Sequence, residues 1–101
     1  MTAASASSTF LFTDIEGSTR LWESDPERMR PALAWHDALS RATVEGHGGR
    51  VVKSTGDGVH AVFDDAAGAL AAALQLQQAL ADSEARHGIL LRIRCAARRR
   101  R

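Results

Sequence analysis

The 101 residues are 45% hydrophobic and 25% charged, which predicts one small soluble domain rather than two. The formal net charge is +1, and the four arginines at 98–101 leave −3 on the rest of the chain, so we expect no nucleic-acid partner. The N-terminal residues lack the basic and apolar regions of a signal peptide, the apolar stretch "ALAAALQL" is too short to span a bilayer, and the single Cys95 allows no intrachain disulfide. We therefore predict a cytoplasmic protein with no membrane partner.

The first half of the chain predicts a strand followed by a helix. Residues 8–14, "STFLFTD", form a short apolar run without helical period, which is typical of a buried strand. Ser24 and Glu27 have the spacing of a capping box around Pro26, and the glycines of "EGHGGR" end the helix that follows. Pro31 either kinks this helix or marks its start. The predicted apolar face consists of Ala32, Trp35, Leu39 and Ala42.

The second half predicts a hairpin, a helix and a last strand. "RVVKS" and "VHAVF" flank "TGDG", which is a strong short-range hairpin signal. A helix over 65–86 ends before Gly88, and "ILLRIR" at 89–94 is the last predicted strand. The predicted apolar face of the helix is Ala66, Leu70, Ala73, Leu74, Leu80 and Ala81. The order is βαββαβ, so the sequence predicts an α+β, ferredoxin-like fold.

Two aspartates are expected to meet at one edge of this sheet. A helical crossover makes the first two strands run in the same direction, so Asp14 at the end of the first and Asp57 after the second finish together. Paired carboxylates on a rigid edge suit Mg²⁺ or Mn²⁺. The glycine and first amides of the next turn suit an anion. The predicted metal and phosphate cradle is Asp14, Ile15, Gly17, Ser18 and Thr19.

Each candidate residue also has a purely structural interpretation. Asp14 alone could cap a helix, Asp57 alone is an ordinary hairpin residue, and Lys53 on an edge strand is commonly a solvated guard against aggregation. The convergence of the two aspartates favours the metal site. We expect Cys95 to be a small buried side chain, Trp22 to be an interface candidate, the histidines to have packing or surface roles, and the terminal arginines to be solvated.

"FTDIEGST" followed by "VVKSTGDGVHAVF" resembles the class III nucleotide cyclases, the adenylate and guanylate cyclase catalytic domains, over residues 9–94. The resemblance implies active sites between two head-to-tail domains, in a homodimer or heterodimer, with two Mg²⁺ or Mn²⁺ ions per site. Asp14, Asp57 and the Ile15 carbonyl match the metal ligands.

The resemblance also implies the substrate and the reaction. The segment Gly17, Ser18 and Thr19 matches the stretch that wraps the triphosphate. Lys53 matches the lysine with which adenylate cyclases bind adenine, which favours ATP over GTP. The implied activity is that of an adenylate cyclase, a phosphorus–oxygen lyase that converts ATP to 3′,5′-cyclic AMP and pyrophosphate in intracellular signal transduction.

The C-terminal residues depart from the family pattern. After "LRIRC" a cyclase continues into a segment with a transition-state asparagine and arginine, whereas this sequence reads "AARRRR". We therefore expect a disordered N-terminus at 1–8, a C-terminally truncated cyclase domain at 9–94 and a basic tail at 95–101, with no activity from this chain alone. The alternatives are a nucleotide-binding, regulatory pseudo-cyclase and a non-functional fragment.

Overall fold

The structure, a computed structural model, describes residues 8–100. Of the predicted disordered segment, residues 1–7 lie outside the described part, and Ser8 begins the first strand instead. Within residues 8–100, no helix is both long enough and apolar enough to cross a bilayer. The elements in chain order are β1 (Ser8–Ile15), α1 (Ser18–Ser24), α2 (Pro26–Gly46), β2 (Arg50–Ser54), β3 (Gly58–Phe63), α3 (Ala66–Leu80), α4 (Ser83–His87) and β4 (Ile93–Arg100).

The four strands form one antiparallel sheet in the order β2-β3-β1-β4. Both β1 and β2 are antiparallel to β3, so they run in the same direction, as the crossover argument requires. This arrangement confirms the predicted α+β, ferredoxin-like fold.

The helices cover one face of the sheet, and the burial of β1 shows this most clearly, since its residues alternate between half-buried and buried. Along β1, Leu11 and Ile15 are buried among helix side chains, whereas Phe12 and Asp14 point to the opposite, open face. The buried side chains on the covered face form two clusters. One contains Ile15, Met29, Ala32, Leu76, Leu80, Ile89, Leu91 and Ile93, and the other contains Leu11, Val44, Ala61, Phe63, Ala69, Ala72 and Ala73.

The start of α2 differs from the predicted capping box. Asp25 is the N-cap, and its carboxylate accepts a hydrogen bond from the Arg28 amide at 3.2 Å. Ser24 instead ends α1, where its hydroxyl donates to the Arg20 carbonyl at 2.8 Å and is no longer available as a cap. Pro31 lies inside α2, so it does not mark the start of the helix.

The predicted helix over 65–86 is two helices, and its predicted apolar face is only partly correct: Ala73 and Leu80 are buried, whereas Leu70, Leu74 and Ala81 are exposed. A turn after Leu80 separates α3 from α4, and Gly88 ends α4 in the left-handed region at a φ of 74°. Leu70 and Leu74 are 60% and 57% exposed. The buried face is Ala69, Ala72, Ala73, Leu76 and Leu80. Small alanines bring the helix axis close to the sheet, which the two larger leucines would prevent.

The last strand begins and ends later than predicted, at Ile93 and Arg100 instead of over 89–94. Ile15 is the last residue of β1 and pairs with Ile93, so no backbone of β1 remains to pair with residues 89–92. Toward the start of β1, β4 pairs with all eight residues of that strand, so Arg100 lies opposite Ser8. The basic residues 98–100 are therefore part of the sheet, and Cys95 is half-buried within β4.

Candidate functional site

The fold brings the backbones of Asp14 and Asp57 together at one end of the sheet. Asp14 is opposite Gly58 in the β1–β3 ladder, and the Ile15 amide donates to the Asp57 carbonyl at 2.8 Å. A Cβ on Gly58 would lie 2.4 Å from the Thr13 carbonyl oxygen, so this close approach requires glycine. The two aspartates are therefore adjacent on a rigid sheet edge.

Two hydroxyls orient the Asp57 carboxylate. Ser18 donates to Oδ2 at 2.8 Å, and the Thr55 hydroxyl lies 3.4 Å from Oδ1 and 3.3 Å from the Gly58 carbonyl oxygen, so its single proton is shared between these two acceptors. Ser18 is the first residue of α1 and follows Gly17, whose φ of 63° provides the sharp turn out of β1. Because its hydroxyl already serves Asp57, Ser18 can offer a phosphate its backbone amide but not this hydroxyl proton.

Arg94 holds the Asp14 carboxylate from the neighbouring strand. It is opposite Asp14 in the β1–β4 ladder, and its Nε and Nη2 donate to Oδ1 and Oδ2 at 3.0 and 2.8 Å. This bidentate geometry is the strongest form of the arginine–carboxylate pair. The hydrogen bond to Asp14 is the main cause that raises the pKa of Arg94 above its usual value. Arg94 is therefore the immediate counter-ion of Asp14.

Cys95 lies beside these residues but points to the covered face. Burial, and secondarily the negative charge of Asp14, raises the pKa of its thiol. The neutral thiol is therefore the favoured form, and Cys95 is not an activated nucleophile.

The chemistry of the donor set fits a hard divalent cation. Two carboxylates and the Ile15 carbonyl are oxygen ligands of the kind that Mg²⁺ and Mn²⁺ prefer. Among residues 8–100, no group of three or more histidine, cysteine, aspartate or glutamate side chains is arranged to hold a metal ion. A cation at Asp14 and Asp57 would thus complete its coordination with backbone, water or substrate oxygens.

The remaining predicted residues do not contact this pair of carboxylates. Thr19 is exposed in the first turn of α1. Lys53 is exposed on β2, opposite His60. Because β3 lies between β2 and β1, Lys53 is about 10 Å across the sheet from the strand that carries Asp14. Any contact of Lys53 with a base would therefore be made away from the carboxylates of its own chain.

The open sheet face forms a shallow cavity beside Asp14, with a volume of about 280 Å³. The rings of Phe12 and His60 meet edge to face in it at a centroid distance of 4.9 Å. The lining residues are Phe12, Thr13, Asp14, His60, Arg94, Cys95 and Ala96. A larger cavity of about 360 Å³ lies beside Leu80 and Leu91 and contains none of the predicted site residues.

Sequence reasoning missed Arg94, Thr55 and Gly58. Thr55 and Gly58 belong to the quoted "TGDG" turn, so their closeness to Asp57 was visible, but their contacts were not. Arg94 is 80 residues from Asp14, and only the register of β4 places them opposite each other. The alternation in "LRIR" would have put Arg94 on the polar face of a strand, but not beside a particular residue.

Comparison with known proteins finds similarity to nucleotide cyclases. No family model matches the chain. The adenylate cyclase of Lachancea kluyveri is 38% identical over 74 residues, which are 73% of this chain but 4% of that protein. An adenylate cyclase from Trypanosoma brucei, solved in its monomeric state, superposes with a TM-score of 0.83 at 21% identity and covers 98% of this chain and 58% of its own.

A guanylyl cyclase, Cya2, superposes equally well, with a TM-score of 0.84 at 24% identity over 93% of this chain and 54% of its own. This chain thus spans little more than half of either solved cyclase chain, and a small fraction of the curated relative. At these identities the superpositions establish the fold, and the sequence similarity is to adenylate cyclases. Together they confirm that the chain resembles the class III adenylate and guanylate cyclase catalytic domains over their N-terminal part.

Proposed function

We propose that this chain contributes the metal-binding part of a class III nucleotide cyclase site that converts ATP to 3′,5′-cyclic AMP and pyrophosphate. The observation that carries the proposal is the convergence of Asp14 and Asp57, fixed by the 2.8 Å hydrogen bond between the Ile15 amide and the Asp57 carbonyl. The similarity to adenylate cyclases supports this assignment of the two carboxylates.

The reaction requires attack of the ribose 3′-oxygen on the α-phosphorus, loss of the 3′-hydroxyl proton and departure of pyrophosphate. Two bound Mg²⁺ or Mn²⁺ ions would lower the pKa of the 3′-hydroxyl and neutralise charge that develops on the phosphates. Asp14, Asp57 and the Ile15 carbonyl are the residues that would hold them. Ser18 and Thr55 keep the Asp57 carboxylate in one orientation, which preorganises this part of the site.

The turn after β1 is proposed to hold the triphosphate. Gly17 lets the backbone reverse tightly, and the amides of Ser18 and Thr19 lie in the first turn of α1, where backbone donors have no acceptor within the helix. A second cyclase domain, arranged head to tail, would supply the rest of the site.

The assay of this proposal is calorimetric titration of the chain with Mn²⁺ and a non-hydrolysable ATP analogue. We expect binding in the native chain and a loss of at least about tenfold in affinity when Asp14→Asn and Asp57→Asn are combined. The matched control combines Asp64→Asn with Asp82→Asn, two exposed aspartates whose side chains make no hydrogen bond to any of residues 8–100. Equal heats for the native chain and the site variant would contradict the proposal.

Lys53 is proposed to select adenine, because a donor-only ammonium can satisfy a ring acceptor of that base. The chain should then bind the ATP analogue more tightly than the GTP analogue. Lys53→Glu should reduce or reverse the preference, since a carboxylate accepts from the N–H groups of guanine. Tighter binding of GTP by the native chain would contradict this part of the proposal.

A further inference from the structure

Arg94 occupies the place in which a cation would be expected beside Asp14. Its guanidinium donates to both oxygens of that carboxylate, and 65% of the Arg94 side chain and 47% of the Asp14 side chain are exposed. We propose that Arg94 is a positioning residue that holds Asp14 in the metal-free chain and competes with the divalent cation for the same carboxylate. This inference rests on the proposed metal site.

The geometry explains why the two positive groups compete. Each carboxylate oxygen has two lone-pair directions, so a metal ion could in principle share Asp14 with Arg94. A positive unit charge about 6 Å from a divalent cation nevertheless lowers the affinity of the site for that cation roughly tenfold in a medium as polar as water. Salt screens the repulsion and reduces this effect. Because the pair is exposed, Arg94 can leave Asp14 without stranding a buried charge.

The surroundings of Arg94 give the displaced guanidinium another carboxylate. Glu16 follows Ile15, the last residue of β1, and Ile15 pairs with Ile93, which directly precedes Arg94. Glu16 is exposed, and its amide is bonded to the Arg92 carbonyl at 2.8 Å, which keeps it beside the start of β4. The guanidinium can therefore move away from Asp14 while it remains among acidic groups.

The proposed competition and a purely structural role predict opposite changes in cation affinity when Arg94 is removed. If Arg94 only braced Asp14, its removal would loosen the carboxylate and weaken cation binding. If Arg94 competes with the cation, its removal strengthens cation binding. The direction of the change in Mn²⁺ affinity therefore separates the two roles without any measurement of turnover.

The experiment measures Mn²⁺ affinity by electron paramagnetic resonance, without nucleotide, for the native chain and three variants. Arg94→Gln removes the charge and the bidentate contact, and Arg94→Lys keeps the charge but not the paired hydrogen bonds. Arg98→Gln is the matched control. It removes the same charge from the same face of β4, four residues and about 13 Å farther along the strand.

We expect Arg94→Gln to tighten Mn²⁺ binding by about three- to tenfold at low salt, Arg94→Lys by less, and Arg98→Gln by under about twofold. Unchanged or weaker binding by Arg94→Gln, in the presence of measurable binding by the native chain, would overturn the inference and leave the metal site intact. Binding by none of the proteins would overturn the metal site itself and the inference with it. Binding that appears only in Arg94→Gln would support both.

Discussion

Gly58→Ala tests whether the close approach of β1 and β3 builds the site. A Cβ at this position would lie 2.4 Å from the Thr13 carbonyl oxygen, 3.3 Å from the Thr55 hydroxyl and 3.5 Å from the Asp14 Cα. The first contact is about 1 Å shorter than ordinary van der Waals contact. It is with backbone of a central strand that is paired on both sides, so it cannot be relieved by a rotamer change.

The expected cost follows from that overlap. Forcing a methyl group into a packed site costs about 1 to 3 kcal/mol, and the strand paired on both sides argues for the middle of that range, about 2 kcal/mol. For a domain of this size, each kcal/mol changes Tm by about 4 to 8 °C. We therefore expect Gly58→Ala to lower Tm by about 8 to 16 °C. The same shift separates Asp14 from Asp57, so Mn²⁺ affinity should also fall.

Thermal unfolding followed by circular dichroism measures the effect, and Gly46→Ala is its control. Gly46 is the last residue of α2, and among residues 8–100 a Cβ there would meet no atom within 4 Å apart from its chain neighbours and the backbone of its own helix. Alanine at Gly46 should therefore stabilise the chain by up to about 0.5 kcal/mol through helix propensity. A Gly58→Ala variant that melted within 2 °C of the native chain would refute the argument that this close contact positions the two aspartates.

Two further predictions concern a helix cap and a half-buried thiol. Asp65→Ala removes the acceptor of the 2.7 Å hydrogen bond from the Gly68 amide and should cost about 1 kcal/mol in urea unfolding, whereas Asp64→Ala should change stability by less than about 0.5 kcal/mol. Because burial raises the pKa of Cys95 above its usual 9.0, the thiol's contribution to stability is intact below that pH and is lost as the pH rises through the raised value. The native chain should therefore lose more stability than Cys95→Ser between pH 8 and pH 10.5, and an equal loss would show that Cys95 is not the group responsible.

The element order and the meeting of Asp14 with Asp57 were predictable because the signals are local. The "TGDG" turn fixes a hairpin within a few residues, and a helical crossover fixes the relative direction of β1 and β2 without any knowledge of side-chain packing. These two facts suffice to place both aspartates at one sheet edge. The strand connectivity does not determine which backbone atoms meet there, and the structure shows that they are the Ile15 amide and the Asp57 carbonyl.

The buried face of α3 was not predictable from periodicity. Its residues are almost all alanine, leucine or glutamine, so several faces have similar apolar character. The choice among them depends on how closely the helix must approach the sheet, and that is a property of the packed structure. Ala69 and Ala72 allow this close packing, which leaves Leu70 and Leu74 exposed.

The extent of β4 and the role of Arg94 depend on contacts far apart in sequence. An arginine run has no strand propensity that would predict its pairing over 98–100. The run pairs because the side of β1 that faces away from β3 has backbone N–H and C=O groups along its whole length that need hydrogen-bond partners. The pairing of Arg94 with Asp14 follows from the same register, and no local pattern contains it.

The last prediction concerns activity, and it compares what the transition state requires with what the 101 residues contain. The family resemblance implies an asparagine that orients the ribose, and the sequence contains no asparagine at any position. The arginines at 98–100 lie in a strand beside β1, not on a helix that could direct one of them to the α-phosphate. Loss of one preorganised donor commonly costs about 10²- to 10³-fold in rate, so the loss of several leaves almost no turnover. We therefore expect no detectable cyclic AMP from this chain with ATP and Mn²⁺. We expect activity when the chain is mixed with a complete class III domain in which the two metal-binding aspartates are replaced. Such a domain binds no metal of its own but can supply the missing donors. The Asp57→Ala form of this chain is the control and should not restore the mixture. Robust turnover by the chain alone that Asp57→Ala abolishes would show that the absent donors are dispensable.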